Sequence, residues 1–207
     1  ENQHFYSKHK TTLIDNGYSN NIYFPSSYHR QNFRKKNKIK KSDIILGFAG
    51  RYTKEKNINS LLFAFSKIIK EYDNVYLYMV GKNINNLNND LTRYINDFRI
   101  KDKVFLLNEQ KNLLKFYNGI DLLLLASHSE SFPNVIAESM LCSTPVLSSN
   151  AGCSKKIING VGFIMKNNDD QSIFNNLKKV IFFLKNKKKK WKYLKKNSRS
   201  PIQKNFS

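Results

Sequence analysis

The sequence predicts an α/β domain with a doubly wound, mostly parallel sheet of six strands. From residue 44 onward short apolar runs alternate with amphipathic stretches, and the apolar runs are continuous rather than interrupted by polar residues. The length of 207 residues also allows a buried core without disulfide bonds or metal ions. In such sheets ligands bind at the carboxyl ends of the strands, so the loops after the strands are where chemistry is expected.

Two strands, each followed by a helix, are predicted in the first half of this domain. Residues 44–48 form an apolar run that ends at Gly50, which is typical of a buried strand. Residues 57–72 carry apolar side chains three and four positions apart and therefore predict a helix. The strand pattern returns at residues 75–80 and the helical pattern at residues 87–98.

The alternation continues with shorter elements in the second half. The four leucines at residues 122–125 are typical of a strand buried on both faces. Pro133 suits the first turn of a helix, because the N–H group that proline lacks has no helical partner there. The predicted strands are residues 104–107, 122–125, 146–148 and 162–165, and the predicted helices are residues 112–117, 133–141 and 172–184.

Segments of different composition flank the predicted domain of residues 44–184. Residues 1–43 are polar, and we interpret them as an interdomain connector and the remnant of an N-terminal domain, with a short basic helix at residues 28–38. Residues 185–207 form a lysine-rich tail. Because the chain begins without an initiator methionine or a secretory signal, we expect it to be a fragment.

The charge balance is strongly basic. The chain has 36 lysine and arginine residues against 15 acidic ones, a net charge of +21 and a pI near 9.9. Such a field attracts phosphate-bearing partners, which leaves a nucleic-acid binder, a peripheral membrane protein and an enzyme of phosphorylated substrates open. Part of the excess is consistent with A/T-rich codons, since asparagine and isoleucine are also frequent. The two cysteines and four scattered histidines do not form a metal site, and no apolar run reaches the ~18–20 residues of a membrane span.

The loop after the first predicted strand contains Gly50, Arg51 and Lys56. Glycine lets a ligand approach the backbone, and both cations lie near the start of the next helix, where N–H groups and the helix dipole favour phosphate oxygens. The loop therefore predicts an anion site, with a solvated basic turn as the alternative. Neither a P-loop nor a dinucleotide-binding fingerprint is present.

Two carboxylates, Glu130 and Glu138, follow the fourth predicted strand. The N–H groups of Phe132, Asn134 and Val135 are expected to open the helix between them and to face the ligand crevice. Carboxylates accept hydroxyl groups well, so this arrangement suits a ribose or a hexose. The alternative is that Glu130 caps the helix and Glu138 lies on the exposed helix surface.

Several short motifs occur in a fixed order along the chain. They are Ile14–Gly17, Tyr23–Pro25, Gly50-Arg51 with Lys56, Val75–Gly81, Asp121 with Ser127, Glu130–Val135 with Glu138, and Thr144–Val146. This set resembles the C-terminal, nucleotide-sugar-binding domain of the retaining GT-B glycosyltransferases of group 1, the RfaB-like family. The spacing of Glu130 and Glu138 is that family's signature. The resemblance implies a Rossmann-like domain that forms one half of a GT-B fold.

The resemblance also implies a role for each matching residue. Arg51 and Lys56 would hold the donor diphosphate and stabilise its charge as the glycosidic bond breaks, while Glu130 would contact the transferred sugar and Glu138 the ribose hydroxyls. The expected catalytic residues are Glu130, Arg51 and Lys56. The expected donor-binding residues are Gly50, Arg51, Lys56, Ser131, Phe132, Pro133, Asn134, Val135 and Glu138. No metal ion and no cofactor besides the nucleotide-diphosphate sugar is implied.

The implied reaction is hexosyl transfer to a glycan or lipid-linked acceptor with retention of anomeric configuration, as in polysaccharide or lipopolysaccharide biosynthesis. We expect a cytoplasmic enzyme, peripheral at the inner face of the membrane, with no specific nucleic-acid partner. Members of the family bind the acceptor in an N-terminal domain, so this chain alone is expected to be weak or inactive. Two positions depart from the family pattern. Ser143 replaces a glycine and requires a negative φ, and Lys155 replaces an acidic residue.

Two further hypotheses stay open. Residues 185–196 contain eight lysines with Trp191 and Tyr193 between them, which suits an anionic membrane surface or a nucleic-acid backbone, unless they form only a solvated helix face. The other hypothesis is that the chain is an inactive gene fragment of the same fold. The glycosyltransferase interpretation depends on one geometric expectation, that the loops leading to Arg51 and Glu138 meet at one edge of the sheet.

Overall fold

Six strands form one sheet in a computed structural model that describes residues 16–18 and 21–206. The rest of the predicted connector, residues 1–15 with 19 and 20, lies outside the described residues. The strands are β1 (Ile44–Ala49), β2 (Val75–Val80), β3 (Val104–Leu106), β4 (Leu122–Leu125), β5 (Val146–Ser149) and β6 (Phe163–Met165). Their order in the sheet is β3-β2-β1-β4-β5-β6, and every neighbouring pair is parallel, where a mostly parallel sheet was predicted.

Helices cover both faces of the sheet. In the described part of the chain they are α1 (Ser27–Lys36), α2 (Ile58–Glu71), α3 (Asn89–Asp97), α4 (Leu114–Gly119), α5 (Asn134–Leu141), α6 (Ser154–Ile158), α7 (Asp170–Asn186), α8 (Lys188–Asn197) and α9 (Ser200–Asn205). Helices α2, α3, α7 and α8 contribute to the core on one face, and the others in this series contribute to the core on the opposite face.

The central strands are apolar along their whole length because both faces are covered. In β1, Leu46 and Phe48 point into one core, while Ile45 and Ala49 point into the other, and all four are buried. This is why the strand has a continuous apolar run rather than an alternating pattern. The same holds for the four leucines of β4, which are also buried.

The order of the strands reverses between β1 and β4, which are direct neighbours. The loop after β1 leads to α2 on one face, and the loop after β4 leads to α5 on the other. At such a switch point the two loops diverge and leave a crevice at the carboxyl edge of the sheet. The fold therefore places the two predicted loops side by side.

The segment before β1 is fixed to the domain by an ion-pair cluster at the amino edge. Arg30 Nη2 lies 2.6 Å from Asp121 Oδ1, and Arg34 Nη1 lies 3.4 Å from Asp121 Oδ2. The backbone N–H of Ile45 also donates to Asp121 Oδ2, at 2.8 Å. The predicted boundary at residue 43 thus separates two segments that are in direct contact, and the division into domains stays a prediction.

Three helices were not predicted, namely α6, α8 and α9. The lysine-rich segment forms α8, which packs on the sheet through Trp191: this side chain is only 9% exposed and stacks on Phe163 with ring centroids 6.2 Å apart. Ile202 of α9 and the following Phe206 are buried in the opposite core. Residues 185–196 are therefore not simply a solvated helix face, because the side that carries Trp191 is packed on the sheet.

Candidate functional site at the carboxyl edge

The loops after β1 and β4 are joined by direct contacts. The backbone N–H of His128 donates to the carbonyl oxygen of Glu55 at 2.7 Å. Lys56 Nζ lies 2.5 Å from Glu130 Oε1 in an ion pair. The expectation that these two loops meet at one edge is therefore met by the structure.

The Lys56–Glu130 pair is largely shielded from water. The side chains are 18% and 11% exposed, and Ser127 Oγ donates a second hydrogen bond to the same oxygen of Glu130, at 2.7 Å. Glu130 lies in the loop and does not cap α5, because the residue preceding that helix is Pro133. The pair fixes the Lys56 ammonium and the Glu130 carboxylate against each other between the two loops.

Arg51, the other predicted cation of the loop after β1, is exposed. Within residues 16–18 and 21–206 its guanidinium forms no ion pair. The preceding Gly50 is held by its N–H, which donates to the carbonyl oxygen of Val80 at 2.9 Å. The first loop thus combines a fixed backbone with one cation that is available to an anion.

The start of α5 is covered by segments from both ends of the chain. Asn134 Oδ1 accepts hydrogen bonds from Tyr18 Oη at 2.6 Å and from Asn16 Nδ2 at 2.9 Å. The Phe132 ring stacks on Tyr18 and meets Phe206 edge to face, with centroids 6.2 Å and 5.5 Å apart. The Phe132 ring and Asn134 Oδ1 are therefore engaged within the protein, although Asn134 itself is exposed.

The other predicted residues of this segment differ in exposure. Ser131 is exposed, Val135 is half-buried and Pro133 is buried. The carbonyl oxygen of Ser131 accepts a hydrogen bond from the N–H of Cys153 at 3.1 Å. This hydrogen bond joins the loop after β5 to the loop after β4.

Glu138 lies one turn into α5, within a group of tyrosines. Tyr117 Oη donates to Glu138 Oε2 at 2.7 Å, and the Tyr23 hydroxyl also hydrogen-bonds to this carboxylate. Burial raises the pKa of Glu138, although both hydrogen bonds act against that rise. Burial and the Glu138 charge raise the pKa of Tyr23 to about 12. The alternative that Glu138 is an exposed helix residue is wrong.

Two asparagines that the sequence did not single out hold the site together. Asn168, in the loop after β6, donates to the carbonyl oxygens of Ala126 and Ser127 at 3.2 Å and 3.0 Å. Asn57 Nδ2 donates to the carbonyl oxygen of Asn168 at 2.7 Å. The loops after β1, β4 and β6 thus form one network. Asn57 also has a left-handed φ of 52°, which asparagine tolerates well, but a chain so rich in asparagine gives no signal at either position.

No group of three or more His, Cys, Asp or Glu side chains that could hold a metal ion occurs among the residues that the structure describes. In the same part of the chain, no helix is long and apolar enough to cross a membrane.

A family model described as "Glycosyl transferases group 1" matches residues 29–200, which is most of the chain. The chain belongs to this family. The predicted family and fold class are therefore confirmed, and the sheet is the Rossmann-like half of a GT-B fold.

Individual group 1 glycosyltransferases and solved structures resemble the chain over the same region. The capsular polysaccharide biosynthesis glycosyltransferase CapM of Staphylococcus aureus is 28% identical over 179 residues, which are 84% of this chain and 47% of CapM. A glycosyltransferase from Rickettsia africae superposes with a TM-score of 0.85 at 20% identity, over 97% of this chain and 54% of its own. HepE of Anabaena, solved in complex with UDP-glucose, has a TM-score of 0.82 at 21% identity, over 95% of this chain and 53% of HepE. The chain spans about half the length of these relatives.

One departure from the group 1 pattern contradicts its expectation. Ser143 was expected to have a negative φ, yet its φ is +57°, in the left-handed region. The serine follows the end of α5, where the N–H of Ser143 donates to the carbonyl oxygen of Met140 at 2.9 Å, and this helix ending requires the left-handed conformation. Ser143 therefore adopts a conformation that glycine favours and that is strained for a residue with a Cβ. The second departure, Lys155, is exposed on α6.

Proposed function

We propose that this chain is the donor-binding half of a glycosyltransferase that transfers a hexosyl group from a nucleotide-diphosphate sugar. The proposed acceptor is a glycan or a lipid-linked sugar, and the proposed outcome is retention of anomeric configuration. Membership of the group 1 family and the UDP-glucose complex of HepE support the choice of donor. Acceptor binding falls to a part of the enzyme outside this chain, so the proposal includes weak or no transfer by the chain alone.

The observation that carries the proposal is the Lys56–Glu130 contact, which joins the cationic loop to the acidic loop at the carboxyl edge. When the glycosidic bond breaks, negative charge develops on the leaving diphosphate. Cations fixed in advance at that position stabilise the transition state, and removing one such group typically costs ~2.7–4 kcal/mol of barrier. We assign this role to Lys56, which Glu130 holds, and to Arg51, which forms no ion pair within the residues that the structure describes. We include no metal ion or other cofactor because these two cations supply the charge.

Glu138 is proposed to bind the ribose. A carboxylate has about four lone-pair sites. The hydroxyls of Tyr117 and Tyr23 occupy two of them and leave room for ribose hydroxyls. Glu130 is proposed to contact the transferred sugar, with the backbone groups of residues 131–135 beside the sugar and the distal phosphate. A position at the inner face of a membrane fits an acceptor that is lipid-linked.

Calorimetric titration of UDP, GDP and their sugar derivatives into the chain tests the proposal. We expect binding that Arg51→Ala and Glu138→Ala each weaken about tenfold or more, since each removes a charged hydrogen-bonding group. Arg93→Ala is the matched control, because Arg93 is exposed on α3 and pairs only with Asp90 in the part of the chain described.

Failure of every nucleotide to bind while the fold stays intact contradicts the proposal. Binding of nucleotides and DNA alike, with a steep salt dependence that Glu138→Ala does not change, instead supports the hypothesis of a basic binding module. Donor binding to this chain, followed by transfer once an intact N-terminal domain is supplied, excludes the hypothesis of an inactive gene fragment.

A further inference from the structure

Positive charge is concentrated in the C-terminal part of the chain. Residues 171–207 hold twelve of the 36 lysine and arginine residues and none of the 15 acidic residues. Codon usage affects the whole chain, so it does not account for the complete absence of acidic residues from this segment. The segment forms most of α7 and all of α8 and α9.

An aromatic groove runs along α7 within this basic region. It has a volume of about 630 Å³, and Phe182 is 56% exposed in it. Aromatic side chains beside cationic ones suit an amphiphilic partner better than they suit an ordinary solvated helix. The aromatic lining residues are Tyr72, Phe174, Phe182 and Phe183. Of the lining lysines, Lys178 is paired with Glu71 at 2.8 Å, whereas Lys179 and Lys187, called here the rim lysines, form no ion pair within residues 16–18 and 21–206.

A cationic cavity lies beside the end of this groove. It has a volume of about 360 Å³, and Arg30, Lys41, Lys185 and Lys188 are among its lining residues. Two acidic residues also line it: Asp121 is paired with Arg30 and Arg34, and Asp43 Oδ2 accepts a hydrogen bond from the backbone N–H of Lys40 at 2.7 Å. Within residues 16–18 and 21–206, the three lysines form no ion pair, and Lys185 Nζ lies 4.8 Å from the ring centroid of Tyr72 at the groove. The cavity therefore favours a phosphate group next to an apolar surface.

The cavity lies at the amino edge of the sheet, and the groove follows α7 toward that edge. The cavity is lined by Asp43, Asn74 and Asp121, which directly precede β1, β2 and β4. The helix α7 starts after β6, at the carboxyl edge, and runs back so that Lys185 ends near the amino edge. The proposed donor site lies at the opposite edge, so an occupant of this surface leaves the donor site free.

We propose that the groove and the adjoining cavity form a docking surface for an anionic phospholipid bilayer. Exposed Phe182 would enter the interface, and the lysines of the rim and cavity would contact lipid phosphates. Duplex nucleic acid is the less favoured occupant, because its bases are stacked within the helix, so that its backbone uses the cations but leaves the aromatic groove without a partner. The proposal does not depend on the nature of the donor or on transfer activity.

Flotation of the 207-residue chain with phosphatidylcholine vesicles, with and without phosphatidylglycerol, tests this surface. We expect binding only to the anionic vesicles. Phe182→Ser should weaken it about tenfold by removing apolar burial. The double variant Lys179→Ala/Lys187→Ala should weaken it about twenty-five-fold, since each lysine near an anionic surface contributes about fivefold.

Matched controls separate this surface from general charge and general hydrophobicity. Leu87→Ser changes a side chain that is 89% exposed at the other edge, and Lys111→Ala/Lys115→Ala removes two exposed lysines near and on α4, on the other face. Both should bind anionic vesicles like the wild type. Duplex DNA binding, measured in parallel, should be unchanged by Phe182→Ser.

Three results would overturn the proposal. They are no binding to anionic vesicles at low salt, equal binding to neutral vesicles, and wild-type binding by both Phe182→Ser and the Lys179/Lys187 double variant. All variants change exposed side chains, and equal melting temperatures would show that the fold is retained. A loss of donor binding in the calorimetric experiment leaves this prediction unaffected, so the two proposals fail independently.

Discussion

The Glu138 carboxylate is largely buried, and burial disfavours the charged form of a carboxylate. Burial raises the pKa of its carboxyl, so the folded chain holds the proton to a higher pH than the unfolded chain does. The free energy of unfolding of the wild type therefore falls as pH rises from the ordinary carboxyl range through the raised pKa. A carboxylate whose burial lowers the stability of the fold is more typical of a binding site than of a purely structural position.

Glu138→Gln is expected to stabilise the fold at neutral pH, because the uncharged amide carries a smaller desolvation cost and still accepts from Tyr117. The difference should shrink in acid, where the wild-type carboxyl is protonated. Thermal unfolding of both chains at neutral and mildly acidic pH measures this. A difference in melting temperature that does not change with pH would contradict the explanation by burial.

Ser143 has a left-handed backbone φ of +57°, which is unfavourable for a residue with a Cβ. Ser143→Gly is expected to raise the free energy of unfolding by about 1 kcal/mol, since the left-handed conformation costs roughly 1–2 kcal/mol for a residue with a Cβ and glycine loses part of that gain as unfolded-chain entropy. Ser60→Gly, in the first turn of α2, is the control and should lose stability, by at most about 0.5 kcal/mol. Urea denaturation distinguishes the two signs, and a destabilised Ser143→Gly would show that the position is not strained.

At the level of elements, the strands and the long helices follow from the sequence because burial on both faces imposes continuous apolar runs. The predicted 75–80 and 122–125 coincide with β2 and β4. The helix α8 escaped prediction because its lysines mask the one large apolar residue, Trp191, that docks it. The loops after β1 and β4 were placed by the parallel topology, whereas the hydrogen bonds of Asn57 and Asn168 depend on tertiary contacts that no local pattern shows.

The loop after β5 supports Glu130 through a close backbone approach. A Cβ at Gly152 would lie 2.1 Å from the Glu130 carbonyl oxygen, and its φ is +53°. Gly152→Ala is therefore expected to cost at least about 2 kcal/mol of stability and to weaken donor binding by moving Glu130. Gly160→Ala, at φ +76° with nothing within 4 Å of the added Cβ, shares only the strain and should cost about 1 kcal/mol. Urea denaturation measures the loss of stability, and calorimetry measures the loss of donor affinity. If both losses were equal in the two variants, the close approach of Gly152 would not be what holds Glu130.

The helix α8 is part of the folded domain in the structure, whatever its charge. Trp191→Ala should lower the free energy of unfolding by about 3 kcal/mol, since it removes a buried aromatic side chain. The neighbouring exposed Lys192→Ala should stay within about 0.5 kcal/mol of the wild type. A Trp191→Ala chain as stable as the wild type would mean that α8 is not docked in solution.

For the whole molecule, the two edges of the sheet carry different chemistry. The carboxyl edge holds the Lys56–Glu130 pair and the loop with the exposed Arg51, and the amino edge holds the cationic cavity that adjoins the aromatic groove. The two proposals assign the nucleotide sugar to the first edge and the bilayer to the second, so that both could be bound at the same time. The bilayer proposal would also explain a net charge of +21, which a donor site alone does not require.

The most direct test of the central claim is a ¹⁵N-NMR titration of the labelled chain with UDP and with UDP-glucose. The account predicts amide shift changes concentrated in the loop of residues 50–57 and in residues 127–138, which are lost in Lys56→Ala and Glu138→Ala. Shift changes confined to α7 and α8, or none at saturating nucleotide with a folded spectrum, would contradict it.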